Sequence, residues 1–419
     1  MPFTSLNRLG SCPASLLLAV ALSASLLAFP IQAATASSAA TPPPKGLPSF
    51  YSEPNPLPRG PAGTLIKAVR TSPSGVHGAT YRVMYLSENL QNHVVAVTGT
   101  IYVPSTSPPE GGYPVVTWGH GTNGMAEQCT PSLDPPQAVP LLNNLLDQGW
   151  EVVASDYQGE GTTGPLPYLV GTIAARNTID IVLAARHLTA AHASSNYVVW
   201  GHSEGGQTAM FALKIGPTYA PELHLRGVVA GAPPSQFYAV YSFLKTSPFR
   251  YYLLMAAEGF HVAYGSKAPL NEVLTPEGIK AIPLLSKGCD SFLAAQVDKY
   301  SISAISKTDP FKVPAWRALL NENDPGTFGS ASPVPLLIIQ GGSDEQIPVV
   351  STQLLAQHLC GLGQTLQRWI YPGQSHSGVI AVSAPDMIRW IADRFAGNPT
   401  PDSYVPNGEA GVETTMCPS

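Results

Sequence analysis

Trp200-Gly201-His202-Ser203-Glu204-Gly205-Gly206 follows an apolar run, Tyr197-Val198-Val199, and leads into small residues with helical spacing. The pattern reads as strand, sharp turn and helix, with a serine at the turn. Glycines flank the serine because its backbone is strained there. Neighbours carrying a Cβ would collide with the turn as the hydroxyl is pushed out of the sheet. Gly-x-Ser-x-Gly alone is a weak signal in a chain with 38 glycines. Its position between strand and helix makes Ser203 the candidate nucleophile.

A serine hydroxyl is a poor nucleophile at neutral pH, so it needs a base, and the base needs an acid to orient it. Around such an elbow the chain order is nucleophile, acid, base. The buried-type strand 333–340 runs into Gly341-Gly342-Ser343-Asp344-Glu345, which puts Asp344 forward as the acid. Glu345 is the competitor, and it reads as an exposed loop carboxylate. A helical stretch over 352–360 and a strand over 366–371 lead to Gln374-Ser375-His376-Ser377-Gly378, so His376 falls where the base belongs. With ten histidines in the chain, position relative to strands does the sorting. His202, inside the elbow, is expected to shape the turn without acting as base.

Tyr113-Pro114-Val115-Val116-Thr117-Trp118 reads as another core strand, ending in Gly119-His120-Gly121-Thr122-Asn123-Gly124. Acyl transfer places negative charge on the carbonyl oxygen of a tetrahedral intermediate, which preorganised N–H donors stabilise more than they stabilise substrate. One donor is expected at the amide of Glu204. The other is expected in this glycine-rich loop, at Gly121 first and Thr122 second.

Tyr102-Val103-Pro104, the Gly119-His120-Gly121-Thr122 loop, Asp156-Tyr157-Gln158-Gly159-Glu160-Gly161, Pro167-Tyr168 and the Ser203 elbow together resemble the secretory lipase family of α/β-hydrolases. That family includes fungal A-type secreted lipases and many bacterial secreted esterases. The resemblance runs from about Gly63 to the C-terminus. It implies a serine ester hydrolase with a helical cap over the site, and it assigns Ser203, Asp344 and His376 to a triad. The fungal members carry a different loop after the strand that ends here at Trp118, so the oxyanion residues rest on the loop itself.

Length and composition fit one large α/β core with an insertion: 419 residues, 44% apolar, with strand and helix patterns in alternation. Residues 1–36 read as a signal peptide, with Arg8 ahead of an apolar stretch and Ala34-Thr35-Ala36 as the cleavage site. Residues 37–62, rich in proline and glycine, read as an extended arm. The α/β-hydrolase core is expected over 63–230 and 333–419, opening with antiparallel strands at 81–86 and 94–103. Helices are expected at 137–148, 171–190 and 205–214. Strands are expected at 151–154, 197–200 and 225–230. Residues 231–332 are too long for a single crossover and read as a helical cap. Its aromatic density, in Phe237, Tyr238, Tyr241, Phe243, Tyr252 and Phe260 among others, points to an apolar acyl or aromatic site at the cap interface.

Without Cys12 in the leader, Cys129, Cys289, Cys360 and Cys417 remain, an even number suited to disulfides in an exported protein. Cys129 with Cys289 would tie the oxyanion-side loop to the cap, and Cys360 with Cys417 would pin the tail. No C-x-x-C pair is present, so no structural metal is expected, and the two-step chemistry requires no cofactor. A net charge of −5 with 12% charged residues offers no basic patch for nucleic acid. No stretch after the leader reaches the length of a membrane span. The expectation is a secreted or periplasmic hydrolase of small-molecule or lipid esters, with transient contact at a lipid interface. The alternative is a secreted serine peptidase or amidase on the same fold. A third reading, a non-catalytic binding protein on the same scaffold, would typically have lost one of the three triad residues.

Overall fold

The computed structural model describes residues 39–399, 406 and 411–417. The expected leader over 1–36 lies outside the described residues. The chain builds one ten-stranded sheet from β1 (Leu65–Thr71), β2 (Gly78–Glu88), β3 (Val94–Pro104), β4 (Tyr113–Gly119), β5 (Glu151–Ser155), β6 (Ala193–His202), β7 (His224–Gly231), β8 (Leu336–Gly341), β9 (Leu366–Tyr371) and β10 (Glu413–Cys417). Their order across the sheet is β10-β9-β8-β7-β6-β4-β5-β3-β2-β1. Strands β4 to β9 pair in parallel, while β1, β2, β3 and β10 join antiparallel. The parallel strands are buried on both faces, which is why Val115, Val199 and Ile338 sit in runs of continuous apolar residues and not in an alternation.

Helices α1 (Gly171–His187), α2 (Glu204–Tyr219) and α5 (Val349–Gly361) cover one face. Helix α6 (Gly378–Phe395) covers the other, where Trp118, Trp200, Trp369 and Trp390 form a second core. Between β7 and β8 the chain forms helices joined by turns, including α3 (Phe237–Leu244) and α4 (Tyr251–Tyr264). This inserted segment has its own core, in which Leu254, Met255, Phe260 and Trp316 pack against Tyr157, Leu166 and Tyr168 from the loop after β5. Helix α4 approaches that loop closely at Gly259, where a Cβ would lie 2.5 Å from the backbone nitrogen of Tyr168.

Several local expectations need correction. The helix expected at 137–148 is two short ones, Pro135–Ala138 and Leu142–Leu146, because Pro140 cannot continue a helix and Leu141 takes a positive φ of 58°. The helix begun at Gly171 ends at His187, whereas the one after the elbow continues to Tyr219. Strand β1 precedes the expected opening pair, so the sheet starts as a three-stranded meander. The arm is more than a surface wrap: Tyr51 is fully buried, and its hydroxyl lies 2.7 Å from Ser132 Oγ.

Disulfides join Cys129 to Cys289 and Cys360 to Cys417. Around the first, the Asp290 amide donates to Asn123 O at 2.9 Å and Gly124 bridges Cys289, fastening the loop after β4 to the inserted segment. The second holds β10 at the sheet edge beside α5. Among the described residues no helix is long and apolar enough to cross a membrane.

Candidate active site

Sheet order decides where the site forms. The chain runs from β4 outward to β5 and then crosses back to β6 on the other side of β4, so the loops after β4 and β6 leave the sheet side by side. In open α/β sheets such a reversal opens a crevice at the carboxyl ends of the strands. The register places Gly119 opposite Gly201, and the Gly119-His120-Gly121-Thr122 loop thus emerges against the elbow.

At the elbow Ser203 has φ 60° and ψ −123°, a strained conformation for a residue with a side chain. It is held by its amide, which donates to Gly231 O at 2.9 Å. A Cβ on Gly201 would meet Gly205 O at 2.0 Å, and one on Gly205 would meet Gly119 O at 1.8 Å. The glycines are therefore required by close backbone packing between the elbow and the loop after β4. Gly121 lies directly alongside: a Cβ there would sit 3.5 Å from Ser203 Cβ. Glu204 is the first residue of α2, so its amide points out of the helix N-terminus with no intrahelical acceptor.

Strands β8 and β9 pair in parallel with Gly341 opposite Tyr371, which brings the two following loops together. His376 Nδ1 lies 2.9 Å from Asp344 Oδ2 and 3.0 Å from Oδ1, with both side chains buried. Asp344 Oδ1 also accepts the amides of Gln346 at 2.9 Å and Ile347 at 2.8 Å. Burial alone would raise the Asp344 carboxyl, but these donors and His376 outweigh it and hold it below the usual value. An ionised carboxylate only accepts, so the His376 proton resides on Nδ1, and Nε2 of the neutral ring keeps its lone pair. That Nε2 is buried with no hydrogen-bond partner among the described residues.

Glu345, the competing acid, is occupied differently: its Oε2 accepts the backbone amide of His376 at 3.0 Å. His202 packs its ring 4.6 Å from that of His376, centroid to centroid. Burial and the neighbouring His376 push the His202 imidazole down to about 3, so it stays neutral.

Behind the loop after β4 lies a buried polar group that sequence reasoning did not single out. His120 Nε2 is 3.1 Å from Glu160 Oε2, and the His120 ring stacks on Tyr157 at 4.1 Å. The Thr122 hydroxyl is 2.7 Å from that of Tyr168, and the Glu204 side chain is buried at the head of α2. Beneath it, Asp156 accepts from Thr98 Oγ1 at 2.7 Å and from the Ser132 amide at 2.8 Å. Two carboxylates in the glycine-rich turn after β5 were the available signal, because carboxylates rarely sit beside a buried strand end without a partner.

The inserted segment encloses an apolar cavity lined by Phe237, Tyr241, Tyr252, Leu254, Phe260 and Trp316, together with Leu169 and Pro234 from loops beside the elbow. Tyr238 and Phe243 of the expected aromatic set face solvent instead. None of Ser203, Asp344 and His376 lines the cavity. Leu169 O accepts a hydrogen bond from Gln207 Nε2, one turn into α2, so the cavity abuts the elbow helix. Among the described residues no group of three or more His, Cys, Asp or Glu side chains is arranged to hold a metal ion.

A family model described as secretory lipase matches residues 137–403. Lipase A of Arthroderma benhamiae is 24% identical over 353 residues, which span 79% of this chain and 74% of that one. A Mycobacterium tuberculosis protein named as a probable inactive lipase is 24% identical over 348 residues, 77% of this chain and 75% of its own length. Among solved structures, Candida antarctica lipase A in its closed state superposes with a TM-score of 0.71 at 18% identity, covering 84% of this chain and 86% of that chain. This last likeness is one of fold.

Proposed function

Because the chain belongs to the secretory lipase family, and so is a lipase-type hydrolase acting on small-molecule esters, we propose that it cleaves esters with apolar acyl groups through Ser203, His376 and Asp344. The observation that carries this reading is the buried Asp344–His376 contact at 2.9 Å, with His376 Nε2 unpartnered among the described residues, beside the strained elbow that carries Ser203.

On this reading the reaction has two stages. His376 Nε2 takes the proton of Ser203 Oγ as that oxygen attacks the ester carbonyl, and Asp344 stabilises the imidazolium that forms. The amides of Glu204 and Gly121 receive the oxyanion. The intermediate collapses as His376 returns the proton to the departing alcohol, leaving an ester bond between the acyl group and Ser203. Water repeats the sequence and releases the acid. Support for an apolar acyl group comes from the cavity in the inserted segment, which contains few polar atoms and abuts the elbow helix. On this reading, residues 231–332 act as a cap that walls the site on the acyl side, and the protein meets lipid interfaces only transiently. Export fits the family and the two disulfides, with 1–36 as the leader.

The test is the initial rate of purified protein on p-nitrophenyl esters from two to sixteen carbons, run beside a peptide p-nitroanilide. Each methylene added within the cavity contributes about 0.8 kcal/mol, so kcat/KM is expected to rise about three- to fourfold per carbon until the cavity is filled. The anilide should turn over negligibly. A flat profile would remove the cavity from substrate binding, and anilide turnover exceeding ester turnover would move the reading to a peptidase. No turnover of any substrate would assign this chain the role that the name of its mycobacterial relative describes.

A further inference from the structure

Gln340 breaks the pattern of its strand. On β8 the side chains of Leu336 and Ile338 turn into the core shared with Leu355 and Leu359 of α5, and by that alternation position 340 would carry an apolar residue too. A carboxamide buried there is costly unless all of it is hydrogen-bonded. Gln340 is fully buried, and both ends of its amide are occupied. Its Nε2 donates to Ile347 O at 2.8 Å, and the second hydrogen of that nitrogen faces Asp344 Oδ2 at 3.4 Å. Its Oε1 accepts from the hydroxyl of Thr352, a buried residue in the first turn of α5. Thr352 Oγ1 accepts in turn from Arg368 Nε at 3.1 Å, and Arg368 Nη2 donates to Val349 O at 3.1 Å. Arg368 is itself buried on β9, where it pairs with Ile338.

The neighbours fix which way the amide points. Ile347 O and the ionised Asp344 carboxylate only accept, so the NH2 group faces them and the amide oxygen faces the hydroxyl. Every bond in the chain therefore donates in one direction. It starts at a guanidinium that is always charged, passes through a hydroxyl and a carboxamide, and ends on the loop that carries the acid. Buried hydrogen bonds aligned in this way polarise and strengthen one another.

We propose that Gln340 is a positioning residue for the acid of the triad: it clamps the 344–347 turn from behind, while Thr352 and Arg368 hold its carboxamide in the orientation that does so. The inference rests on the reading of Asp344 as that acid, and deepens it. The carboxylate is then held at both oxygens. Oδ1 takes the amides of Gln346 and Ile347, and Oδ2, which lies 2.9 Å from His376 Nδ1, faces Gln340. Pinned at Oδ1 alone, a carboxylate pivots about that oxygen and carries Oδ2 away from the imidazole. His376 takes both its tautomer and its direction from Asp344, so a slack carboxylate is felt in the transition state and not in substrate binding.

The experiment compares wild type with Gln340→Met, Thr352→Val, Thr352→Ser and the double variant Gln340→Met/Thr352→Val on p-nitrophenyl butyrate, beside Asp344→Asn. Circular dichroism establishes folding, and titration with a p-nitrophenyl alkylphosphonate expresses each rate per active site. Methionine matches glutamine in length and lacks the amide, so kcat should fall about 10- to 100-fold with KM changed less than about threefold. Valine keeps the shape of Thr352 without its hydroxyl and should lower kcat about three- to tenfold. Serine restores the hydroxyl and should return kcat to within about twofold of wild type. Because Thr352 acts through Gln340, the double variant should be within about twofold of Gln340→Met alone.

Wild-type kcat in Gln340→Met overturns the positioning role, and Thr352→Val decides in the same way if the methionine variant does not fold. Losses that multiply in the double variant overturn the action of Thr352 through Gln340. Loss of activity in Asp344→Asn with none in Gln340→Met sinks this inference and leaves the triad standing. Wild-type kcat in Asp344→Asn removes the acid assignment, and a wild type without ester turnover removes the ester-hydrolase reading, each taking this inference with it.

Discussion

Replacing Ser203 by alanine is expected to lower kcat on p-nitrophenyl esters about a million-fold while leaving the protein folded. The size follows from the way the triad acts as a unit. Without the oxygen nucleophile, His376 and Asp344 have nothing to activate, and only the residual stabilisation from the oxyanion donors and substrate binding remains. Folding should survive because the strain at position 203 lies in its φ of 60°, which any residue with a Cβ shares. The hydroxyl makes no contact on which the elbow depends; the amide bond to Gly231 O holds the turn and is kept in the variant. The check is single-turnover kinetics beside a thermal unfolding scan. Activity within tenfold of wild type would transfer the nucleophile to another residue.

Asp344→Asn should cost about four orders of magnitude in kcat, again without unfolding. The carboxamide has one acceptor oxygen, and the amides of Gln346 and Ile347 both point at the Oδ1 position, so the oxygen settles there. That leaves the NH2 group at the Oδ2 position, 2.9 Å from His376 Nδ1, while the remaining oxygen, 3.0 Å from Nδ1, is already shared by two backbone amides. Donor against donor is unfavourable, so the imidazole shifts its proton to Nε2 and loses the lone pair that would accept the Ser203 proton. KM should change little, since the ground-state complex needs no base. Retention of kcat within tenfold would return the acid role to Glu345, which touches His376 only at its backbone.

Much of this was legible in the chain because it is written locally. The elbow glycines are required by contacts within and beside the turn, such as Gly205 against Gly119 O, and local requirements leave local signatures. Asp344 and His376 could be placed because parallel strands buried on both faces read as apolar runs, and the loops that follow them carry the polar residues. The edges were harder to read. β1 (Leu65–Thr71) is only partly buried and β10 (Glu413–Cys417) is polar along most of its length, so neither carries the alternation or the apolar run that marks a strand. The helix broken at Pro140 shows the opposite error, in which apolar spacing outweighed a proline that should have stopped the reading.

The His120, Glu160 and Glu204 cluster had no local signature beyond the two carboxylates in the turn after β5. Its members stand far apart in sequence and meet only because β4, β5 and β6 deliver their loops to one end of the sheet. Position 204 was read solely for its amide. The inserted segment was legible as helical and apolar, yet which aromatics face inward depends on the packing of α3 and α4. Tyr238 and Phe243 turn outward, while Phe237 and Phe260 turn in.

The most direct measurement is covalent trapping: incubate the native protein with a p-nitrophenyl alkylphosphonate, follow p-nitrophenol release, and locate the adduct by peptide mass spectrometry. One equivalent of p-nitrophenol should appear with complete loss of esterase activity, with the phosphonate on Ser203 and on no other residue, and heat-unfolded protein should not react. Esterase activity that survives the reagent, or an adduct on a residue other than Ser203 in the inactivated protein, would contradict the account.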